Sequence, residues 1–414
     1  MTTHRDGVIG GGQAGLATSY YLTEAGCDHV VLERDRIGER WRSEKWDSFT
    51  LVTPNWMTGL PGFPYEGDDP DGFLSREEVV AYLEAYVDRF DPPLQSGVEV
   101  KAVRRTDSGF TIETAGAPYE TANVVIATGP FQQPRIPSVS ADIPSFVRQL
   151  HTSRYVNPEQ LPTDGVLVVG SAQSGAQIAQ ELHESGRDVY LSVSGAPKGP
   201  RRYRGKDIVD WMSDLGMFEK TVDDLESPAA RFAPSIYVSG KDEGQEIDLL
   251  DLAADGMTLL GRTAGAEDGH LVFADDLEEN LRNAYRFYAG LIEQIDEHIE
   301  TAGVDAPEPE FRPTDPDDIS VDGVRELDLE AANVRTVIWA TGYGSDFSWV
   351  DPTTFDEYGY PIHDRGITEI PGLYFVGLPW LHSQGSSLLF GVGKDAKHIT
   401  DHILDRLEQP TLRT

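Results

Sequence analysis

The first residues able to do chemistry are glycines and an acid in a fixed pattern near the start of the chain. A short apolar run leads into a G-x-G-x-x-G turn from Gly10 to Gly15, and a second apolar run ends at Glu33. In this pattern the first glycine permits a tight turn, and Gly12 lets backbone N–H groups approach a diphosphate. The third glycine lets a helix pack against its strand, and the acid can accept hydrogen bonds from ribose hydroxyls. The pattern predicts a βαβ unit that binds a dinucleotide.

The same pattern recurs later in the chain without a gap in its spacing. A single shift superposes three glycines on three others: Gly10 on Gly170, Gly15 on Gly175 and Gly26 on Gly186. Each unit is followed by a buried strand that ends in Ala-Thr-Gly, at 127–129 and at 340–342. Two matched units are far more specific than one. The second unit has Ala172 at its middle position, and this methyl group would crowd a diphosphate.

The end of the second unit indicates which dinucleotide it binds. Val193 and Ser194 follow the strand where the first unit has Glu33, so no carboxylate would repel a ribose 2′-phosphate there. Basic residues follow closely: Lys198, Arg201, Arg202 and Arg204. The combination favours NADPH over NADH. The alternative interpretation is that this basic stretch is only a solvated turn.

Length and composition narrow the class of protein. At 414 residues the chain is long enough for two or three domains. Its one cysteine, Cys27, cannot form the redox pair that a thioredoxin-reductase type of enzyme needs. No apolar run approaches the roughly 20 residues that span a bilayer, and residues 1–7 are too short and polar for a signal peptide. We therefore expect a cytoplasmic protein that does not enter membranes.

The charge is strongly negative, with 34 basic and 70 acidic side chains and a net charge of −36. The acids are spread over the whole chain and are densest at 264–330, and lysine is scarce. Such a surface is typical of proteins kept soluble in concentrated salt, where screening relieves the self-repulsion, so we expect a halophile. The same charge argues against nucleic acid and anionic membranes as partners.

Other segments predict ordinary elements around these units. Ser75 and Glu78 form a capping-box pattern before a helix that runs to about 90. Alternation predicts strands at 98–103 and 109–114, and apolar stripes predict helices at 211–215 and 277–299. The loop between the first unit and the helix that follows Ser75 is rich in aromatic residues, which belong either to the core or to the site: Trp41, Trp46, Phe49 and Trp56.

Nearly the whole chain resembles flavoproteins with two dinucleotide-binding domains, and it is most similar to class B flavin-dependent monooxygenases of the flavin-containing monooxygenase and YUCCA kind. The CzcO-like subgroup is the nearest, through the segments 46–54, 61–65, 201–205 and 386–396. The resemblance implies an α/β fold of two Rossmann-like, three-layer ββα domains. The FAD domain (1–160 and 340–414) would be discontinuous. The NADPH domain (161–339) would be inserted into it and carry a helical substrate or lid insertion at about 201–330.

The resemblance also implies the positions that hold FAD and NADPH. In the first part of the chain these are Gly10, Gly12, Gln13, Ala14, Gly15, Glu33, Arg34, Arg40, Trp41, Thr53, Val100, Ala127, Thr128 and Gly129. Later in the chain they are Gly170, Ser171, Gln173, Ser174, Gly175, Ser194, Arg201, Arg202, Thr341, Gly342, Tyr343, Gly377, Leu378 and Leu388. The helix that starts after Gly393 would direct its dipole at the flavin ring. No metal site is expected.

Two residues are candidates for catalysis. Asn55, after Pro54, matches the asparagine that in this family hydrogen-bonds near the flavin, and its alternative role is to close a turn. His382 is a candidate acid or base whose alternative is a structural role. The family's F-x-G-x-x-x-H fingerprint is only half present, since His151 and the following Tyr155 fit but Val147 replaces the glycine.

Three functions follow from these features. The first is an NADPH-dependent FAD monooxygenase that uses a C4a-(hydro)peroxyflavin to insert one oxygen atom of O₂ into a small organic substrate at nitrogen, sulfur or a ketone. The second is an NADPH oxidase or diaphorase that produces peroxide, which the incomplete fingerprint would suit. The third is a regulatory flavoprotein, associated for instance with ion transport, that binds nucleotides without turnover. A homodimer is compatible with each.

Overall fold

The structure is a computed structural model that describes residues 2–267, 270–351 and 354–408. The α-helices within these ranges are α1 (Gln13–Glu24), α2 (Glu39–Ser43), α3 (Arg76–Phe90), α4 (Gln173–Glu184), α5 (Ile208–Asp214), α6 (Leu249–Ala254), α7 (Leu277–Ala302) and α8 (Val392–Glu408). Short 3-10 helices lie at Asn55–Met57, Ser138–Asp142, Thr152–Arg154, Pro158–Gln160, Met217–Glu219, Val222–Asp224, Pro228–Phe232, Lys241–Glu243 and Pro316–Asp318. None of the described helices is long and apolar enough to cross a membrane.

The first large sheet is fully parallel and carries the first fingerprint. In spatial order its strands are Leu373–Phe375, Asn123–Ile126, Asp6–Ile9, His29–Glu33 and Leu94–Ser96. Helices α1, α3 and α8 contribute apolar residues to the core on one face. The other face packs on a covering sheet. The strands of this covering sheet are Thr2–Thr3, Tyr119–Thr121, Gly109–Thr114, Val100–Thr106 and Val350–Asp351. Near-continuous apolar strands are expected for a sheet covered on both faces.

The second large sheet repeats this architecture. Its strands are Arg148–His151, Val334–Trp339, Gly165–Val169, Val189–Ser192 and Thr258–Leu260, all parallel. Helices α4, α6 and α7 share the core on one face. An antiparallel sheet of Thr263–Glu267, His270–Phe273 and Glu326–Asp328 covers the other. The predicted α/β fold, with two three-layer ββα units, is therefore confirmed.

The chain passes between the two sheets twice. Strands of the first sheet come from both ends of the described chain and those of the second from its middle. The two crossings lie side by side as an antiparallel pair, Gln133–Pro134 with Tyr343–Gly344. Strand Arg148–His151 already belongs to the second sheet, so the change of sheet comes before the predicted boundary at 160. The domain limits otherwise stay a prediction, and 409–414 lie outside the described residues.

The segment predicted as a helical insertion at about 201–330 is mixed instead. It contains α5, α6 and α7, but also an edge strand of the second sheet, the covering antiparallel sheet and a hairpin of Arg202–Tyr203 with Lys206–Asp207. The strand Thr263–Glu267 has the sequence TAGAE, which lacks the alternating β-branched residues that identify a strand. Only its pairing with strand His270–Phe273 makes it extended.

Local signals were more reliable where a helix has a cap. The Ser75 side chain accepts from the Glu78 N–H at 3.3 Å, and a Glu78 carboxylate oxygen accepts from the Ser75 N–H at 2.8 Å. This capping box satisfies orphan donors at the start of α3. The helix ends at Phe90, as predicted, where Asp91 adopts a left-handed conformation. Helix α3 then packs beside α1, and the small hairpin Gly59–Leu60 with Phe63–Pro64 lies against it through the Tyr82 hydroxyl.

The aromatic loop after α2 joins the two units. Trp46 is 3% exposed and belongs to the apolar core of the second unit, although its neighbours in sequence belong to the first. The Ser48 hydroxyl donates to Glu181 of α4 at 2.5 Å, and the Tyr155 hydroxyl donates to the other oxygen of that carboxylate at 2.6 Å. The loop therefore fixes how the two units face each other.

Candidate functional site

The first fingerprint forms an open cradle at the start of α1. Gly10 has φ of +112°, and a Cβ there would lie 2.6 Å from the Ala127 carbonyl oxygen. A Cβ on Gly15 would lie 1.8 Å from the Gly10 carbonyl oxygen, so helix and strand approach as closely as the motif requires. A Cβ on Gly12 would meet no atom within 4 Å. The space beside Gly12, before the first turn of α1, is therefore open, which suits the approach of a diphosphate to the start of the helix.

Glu33 lies at the edge of this cradle. One carboxylate oxygen accepts from the Gly11 N–H at 2.6 Å, and the other accepts from the Asp35 N–H at 2.8 Å. The Val98 N–H donates to the Glu33 carbonyl at 2.9 Å, which brings the strand that begins at Val100 alongside. Glu33 is thus held where a ribose bound over the cradle could donate to it.

The other predicted residues after this strand are less buried. Arg34 pairs with Asp35 at 2.9 Å, Arg40 pairs with Glu44 at 3.7 Å, and Trp41 stands against Phe49 with 5.7 Å between the ring centroids. The Lys45 ammonium lies 5.1 Å from the centre of the Phe49 ring and 6.0 Å from that of Phe131. Burial lowers the pKa of Lys45. No motif near Lys45 predicts that this cation would lie among aromatic rings.

The second fingerprint repeats the cradle with one change. A Cβ on Gly170 would lie 2.6 Å from the Ala340 carbonyl oxygen, and one on Gly175 would lie 1.9 Å from the Gly170 carbonyl oxygen. Ala172 has φ −72° and ψ −175°, close to the values of −80° and −175° at Gly12. Its methyl group therefore occupies, in the second unit, the space equivalent to the one that is open beside Gly12 in the first.

The polar groups around the second cradle also differ from the first. The Ser171 hydroxyl accepts from the Ser194 N–H at 2.9 Å. The Gln173 side chain is bound to the backbone of Val238, donating to its carbonyl and accepting from its N–H at 3.2 Å. Gln177 donates to the same carbonyl at 3.2 Å, so the segment at Val238 passes beside the start of α4, where Ser174 is half-buried. This neighbour of the cradle was missed because nothing near residue 238 marks it in the sequence.

The basic stretch predicted to receive a 2′-phosphate is turned into the fold. Arg201 is 2% exposed, makes a two-pronged ion pair with Asp207, and donates to the carbonyls of Val52 and Ser239. The prediction for Arg201 is therefore wrong, because its charge and donors are already used. Lys198, also 2% exposed, pairs with Glu246 at 2.9 Å.

The rest of that stretch has partners as well. The Arg202 guanidinium is exposed and donates to the Glu243 carbonyl at 3.1 Å. Arg204 pairs with Asp296 at 2.8 Å. The predicted phosphate site at this stretch thus has one exposed cation, and that cation is held by a backbone carbonyl.

The side chain of Asn55 makes structural contacts with a loop that follows it in sequence. Its amide nitrogen donates to the Asp69 carbonyl at 2.9 Å, and its amide oxygen accepts from the Leu74 N–H at 2.7 Å. The residue is 4% exposed. A buried amide with both ends bonded holds the 69–74 loop against the 3-10 helix that Asn55 begins. The structure therefore does not favour the predicted catalytic role, while Thr53, two residues earlier, is half-buried.

The C-terminal segment closes on the first cradle. Gln13 donates to the Ser387 carbonyl at 2.6 Å. Gly377 has φ of +77°, and a Cβ there would lie 2.5 Å from the Ala14 side chain, so the buried Gly377 and Leu378 run directly beside α1. A Cβ on Gly393, at the start of α8, would lie 2.9 Å from Pro61. The start of α8 is thereby held beside α1 and the Pro61 turn.

His382 lies in the tight loop that leads to α8. Its N–H and that of Ser383 both donate to the Ser386 hydroxyl, at 3.1 Å and 2.9 Å. The His382 carbonyl accepts from the Val222 N–H at 2.9 Å. The backbone of His382 thus ties this loop to the segment between α5 and α6, and its imidazole ring is half-buried.

Apolar side chains from three segments cover this edge. Leu388 and Phe390 of the C-terminal loop pack on a buried cluster that contains Met57, Trp211 and Phe218. The rings of Phe218 and Phe390 meet edge to face, with 5.3 Å between centroids. An apolar cover beside the Gln13–Ser387 contact would keep water from a group bound there.

The two Ala-Thr-Gly turns meet at the crossings between the sheets. Gln132 donates to the Thr128 hydroxyl at 3.0 Å and to the Gly129 carbonyl at 2.8 Å. The Thr341 hydroxyl donates to the Arg135 carbonyl. His151, 3% exposed, contacts the Gly342 carbonyl at 3.0 Å through Nε2. The Tyr343 ring stands 4.8 Å from its imidazole. His151, which belongs to the part of the family fingerprint that is present, therefore supports the crossing between the sheets through Gly342 and Tyr343. Burial lowers the pKa of His151.

The single cysteine lies away from both cradles. Cys27 follows the C-terminus of α1, whereas the cradle lies at its N-terminus. The 12 residues of α1 span about 18 Å at 1.5 Å per residue. Burial raises the pKa of the Cys27 thiol, which disfavours the reactive thiolate. A thiol therefore takes no part in chemistry at the cradle.

Comparison with known proteins identifies relatives over the full length. A sequence family described as pyridine nucleotide-disulphide oxidoreductase matches residues 8–213. An uncharacterized CzcO-like oxidoreductase of Geobacillus kaustophilus (strain HTA426) is 35% identical over 402 residues, covering 96% of this chain and 97% of that protein. Indole-3-pyruvate monooxygenase YUCCA1 of Oryza sativa subsp. japonica is 31% identical over 194 residues, 45% of this chain and 47% of that protein.

A solved structure shares the fold at lower sequence identity. A flavin-containing monooxygenase from Stenotrophomonas maltophilia aligns over 98% of this chain and all of its own, with a TM-score of 0.65 and 19% identity. This similarity supports the three-layer architecture of both units.

Proposed function

Because the chain belongs to the CzcO-like oxidoreductases of the class B flavin-dependent monooxygenase family, we propose that it is an NADPH-dependent FAD monooxygenase. It transfers one oxygen atom of O₂ to a nitrogen, a sulfur or a ketone of a small organic substrate. The protein is a flavin-dependent oxidoreductase, and its cofactors are FAD and NADPH.

The residues around the first cradle fit FAD. The open space at Gly12 and the free N–H groups of α1 would hold the diphosphate, and Glu33 would accept from the adenosine ribose. The start of α8, held by Pro61 beside α1, would place its positive end near the flavin ring. When bound, FAD supplies hydride acceptance and oxygen activation. The second cradle would hold NADPH, with Ser171 and Ser194 at its ribose end.

The apolar cover is the observation that carries the oxygenation proposal. Leu388, Phe390 and Phe218 enclose the edge at which Gln13 meets the C-terminal loop. Excluding water there would keep activated oxygen from being lost as hydrogen peroxide before it reaches the substrate. An oxidase, whose product is peroxide, would not need such a cover. The position of Cys27 argues against disulfide reduction.

The NADPH oxidase remains the second candidate. The sequence feature that favours it is Val147, which stands where the family fingerprint has a glycine. The third function, a regulatory flavoprotein that binds nucleotides without turnover, is favoured by Ala172, whose methyl group lies in the second cradle.

An oxygen-transfer assay tests the proposal. The purified holoenzyme is supplied with NADPH, ¹⁸O₂ and a panel of small amines, thioethers and ketones, and both products and peroxide are quantified. We expect at least one class to yield a product with one ¹⁸O atom and a matching fall in peroxide. Peroxide equal to the NADPH consumed across the whole panel would overturn oxygen transfer in favour of the oxidase.

A further inference from the structure

Arg262 lies in the turn that follows the edge strand Thr258–Leu260, beside the end of the strand that precedes Ser194. We propose that Arg262, rather than Arg201 or Arg202, receives the 2′-phosphate of NADPH and sets the preference for NADPH over NADH. This inference rests on the NADPH dependence of the proposed function. It assigns the discrimination to a residue on the edge strand, far in sequence from the basic stretch.

The matching strand orders of the two sheets locate the residue. In the first sheet the strand of Glu33 pairs with Leu94–Ser96, and in the second the strand of Ser192 pairs with Thr258–Leu260. The register pairs Ser192 with Leu260, so Ser194 and Arg262 each lie two residues past the paired ends. Carboxyl ends of parallel strands share one edge, which is where nucleotides bind in open α/β sheets.

Specific contacts hold this edge together. The Val193 N–H donates to the Leu260 carbonyl at 2.8 Å, and the Ser192 hydroxyl donates to the Gly261 carbonyl at 2.9 Å. The Thr263 N–H returns to the same hydroxyl at 3.1 Å. The turn that carries Arg262 is therefore anchored directly to the end of the strand that precedes Ser194.

The guanidinium is oriented and still accessible. Its Nε donates to Asp276 at 2.5 Å, the backbone N–H of Arg262 donates to the same carboxylate at 2.9 Å, and the side chain is 66% exposed. Asp276 is 11% exposed in its side chain, so it fixes the stem while the terminal N–H groups face solvent. Glu279 is a further acid that acts on this guanidinium.

The second unit has no acid at the position that Glu33 holds in the first, and the acids near this turn, Asp276 and Glu279, already act on Arg262. In the first unit Glu33 accepts from the Gly11 N–H, whereas in the second unit the Ser171 hydroxyl accepts from the Ser194 N–H. A ribose bound beside Ser194 would thus face hydroxyl groups and the free face of Arg262. A planar guanidinium donates two parallel hydrogen bonds to a phosphate.

A pair of fragments tests the assignment without flavin turnover. Isothermal titration calorimetry on the FAD-loaded protein compares adenosine 2′,5′-bisphosphate with adenosine 5′-monophosphate, which differ only in the 2′-phosphate. We expect Arg262→Ala to weaken binding of the bisphosphate by about tenfold or more, the size of a lost charged hydrogen bond, and to leave the monophosphate within about twofold. Arg262→Lys should recover part of the loss.

Arg202→Ala is the matched control, because it removes an exposed cation of the predicted basic stretch. It should leave both affinities unchanged, and the flavin content and thermal midpoint of each variant report on folding. An equal loss for both fragments in Arg262→Ala, or a selective loss in Arg202→Ala, would overturn the assignment. So would wild-type protein that binds the two fragments equally. Oxygen transfer is measured separately with ¹⁸O₂, so its failure is distinguishable from this one.

Discussion

At their middle position the two cradles differ by one methyl group, which allows a test of how closely the backbone must approach a diphosphate. Gly12 and Ala172 share nearly the same φ and ψ, and only the second carries a Cβ into the open space. The backbone conformation does not depend on the methyl group, because Gly12 adopts nearly the same φ and ψ without one. The Ala172 side chain also packs against the core of the second unit, so we expect a small effect on stability and a larger one on the cofactor.

Exchanging these two residues tests that view. Ala172→Gly should tighten NADP⁺ binding and Gly12→Ala should weaken FAD binding, each by about tenfold, or roughly 1.4 kcal/mol. Gly12 and Ala172 are the N-caps of α1 and α4 with nearly the same φ and ψ, so this conformation accepts either residue and both variants should fold. Calorimetric titration with NADP⁺ and flavin retention on gel filtration measure the two effects. Unchanged affinities in both variants would show that the methyl group lies outside the cofactor's path.

At the scale of elements, the loop after α2 connects the first unit to the core of the second. Trp46 supplies apolar surface to that core, and Ser48 and Tyr155 share the Glu181 carboxylate. A domain that rotates during turnover would have to withdraw the Trp46 ring. We therefore expect the two units to move as one body.

Truncation of Trp46 measures this connection. Trp46→Ala should cost about 3–5 kcal/mol of unfolding free energy, as for other buried aromatic residues. Trp56→Ala is the control: its ring is 42% exposed and donates once, to Asp210 at 2.8 Å, so about 1 kcal/mol is expected. Denaturant unfolding compares them, and similar costs for both would contradict the role given to Trp46.

The turn before the last strand of the first sheet should be sensitive to acid. Burial, assisted by repulsion from Arg231, lowers the pKa of His363 from 6.5 to about 4. Asp364 and Asp395 act in the opposite direction. Nδ1 of His363 accepts from the Gly366 N–H at 3.2 Å, which requires the neutral ring. The stabilisation is therefore fully present above pH 6.5 and is lost as the pH falls from 6.5 through 4.

Comparison with His363→Asn separates the contribution of His363 to the pH dependence of stability from that of the many carboxylates. Asparagine keeps an acceptor near the Nδ1 position and does not titrate. Between pH 7 and pH 4 the wild type should lose ~2 kcal/mol more unfolding free energy than the variant, after allowance for partial exposure of the ring. Urea unfolding at several pH values gives the difference, and parallel curves would refute this account of the turn.

What the sequence predicted at this scale depended on local signals. The paired fingerprints, the Ala-Thr-Gly strands and the Ser75 cap are each legible within a few residues, and the structure has all of them. The fate of Arg201 depends on Asp207 and on the carbonyls of Val52 and Ser239, which the fold alone brings together. Strand Thr263–Glu267 is likewise extended because of its partner strand. Neither the burial of Arg201 nor this strand could therefore be predicted from a local sequence pattern.

At the scale of the whole molecule, the net charge of −36 is the dominant physical feature. Many acids have cationic partners on the surface, yet 34 basic side chains cannot neutralise 70 acidic ones. Exposed pairs of this kind contribute little individually. We propose that the protein works in a salt-rich cytoplasm, where screening offsets the remaining repulsion.

Salt should therefore stabilise the protein. We expect the thermal midpoint to rise steadily with KCl as the screening length falls from about 10 Å at 0.1 M to about 3 Å at 1 M. Sucrose at matched osmolality is the control, since it is excluded from surfaces without screening charge. A midpoint that responds equally to sucrose and KCl, or not at all, would remove the argument for a halophile.

The most direct measurement for the central claim is a stopped-flow experiment in two stages. The FAD-loaded protein is reduced anaerobically with NADPH in concentrated salt and then mixed with oxygen while the flavin spectrum is followed. The account predicts fast reduction, followed by an absorbance band distinct from oxidised and reduced flavin that lasts while NADP⁺ stays bound. Direct return to the oxidised spectrum with stoichiometric peroxide would contradict oxygen transfer, and failure of NADPH to reduce the flavin would contradict the enzyme itself.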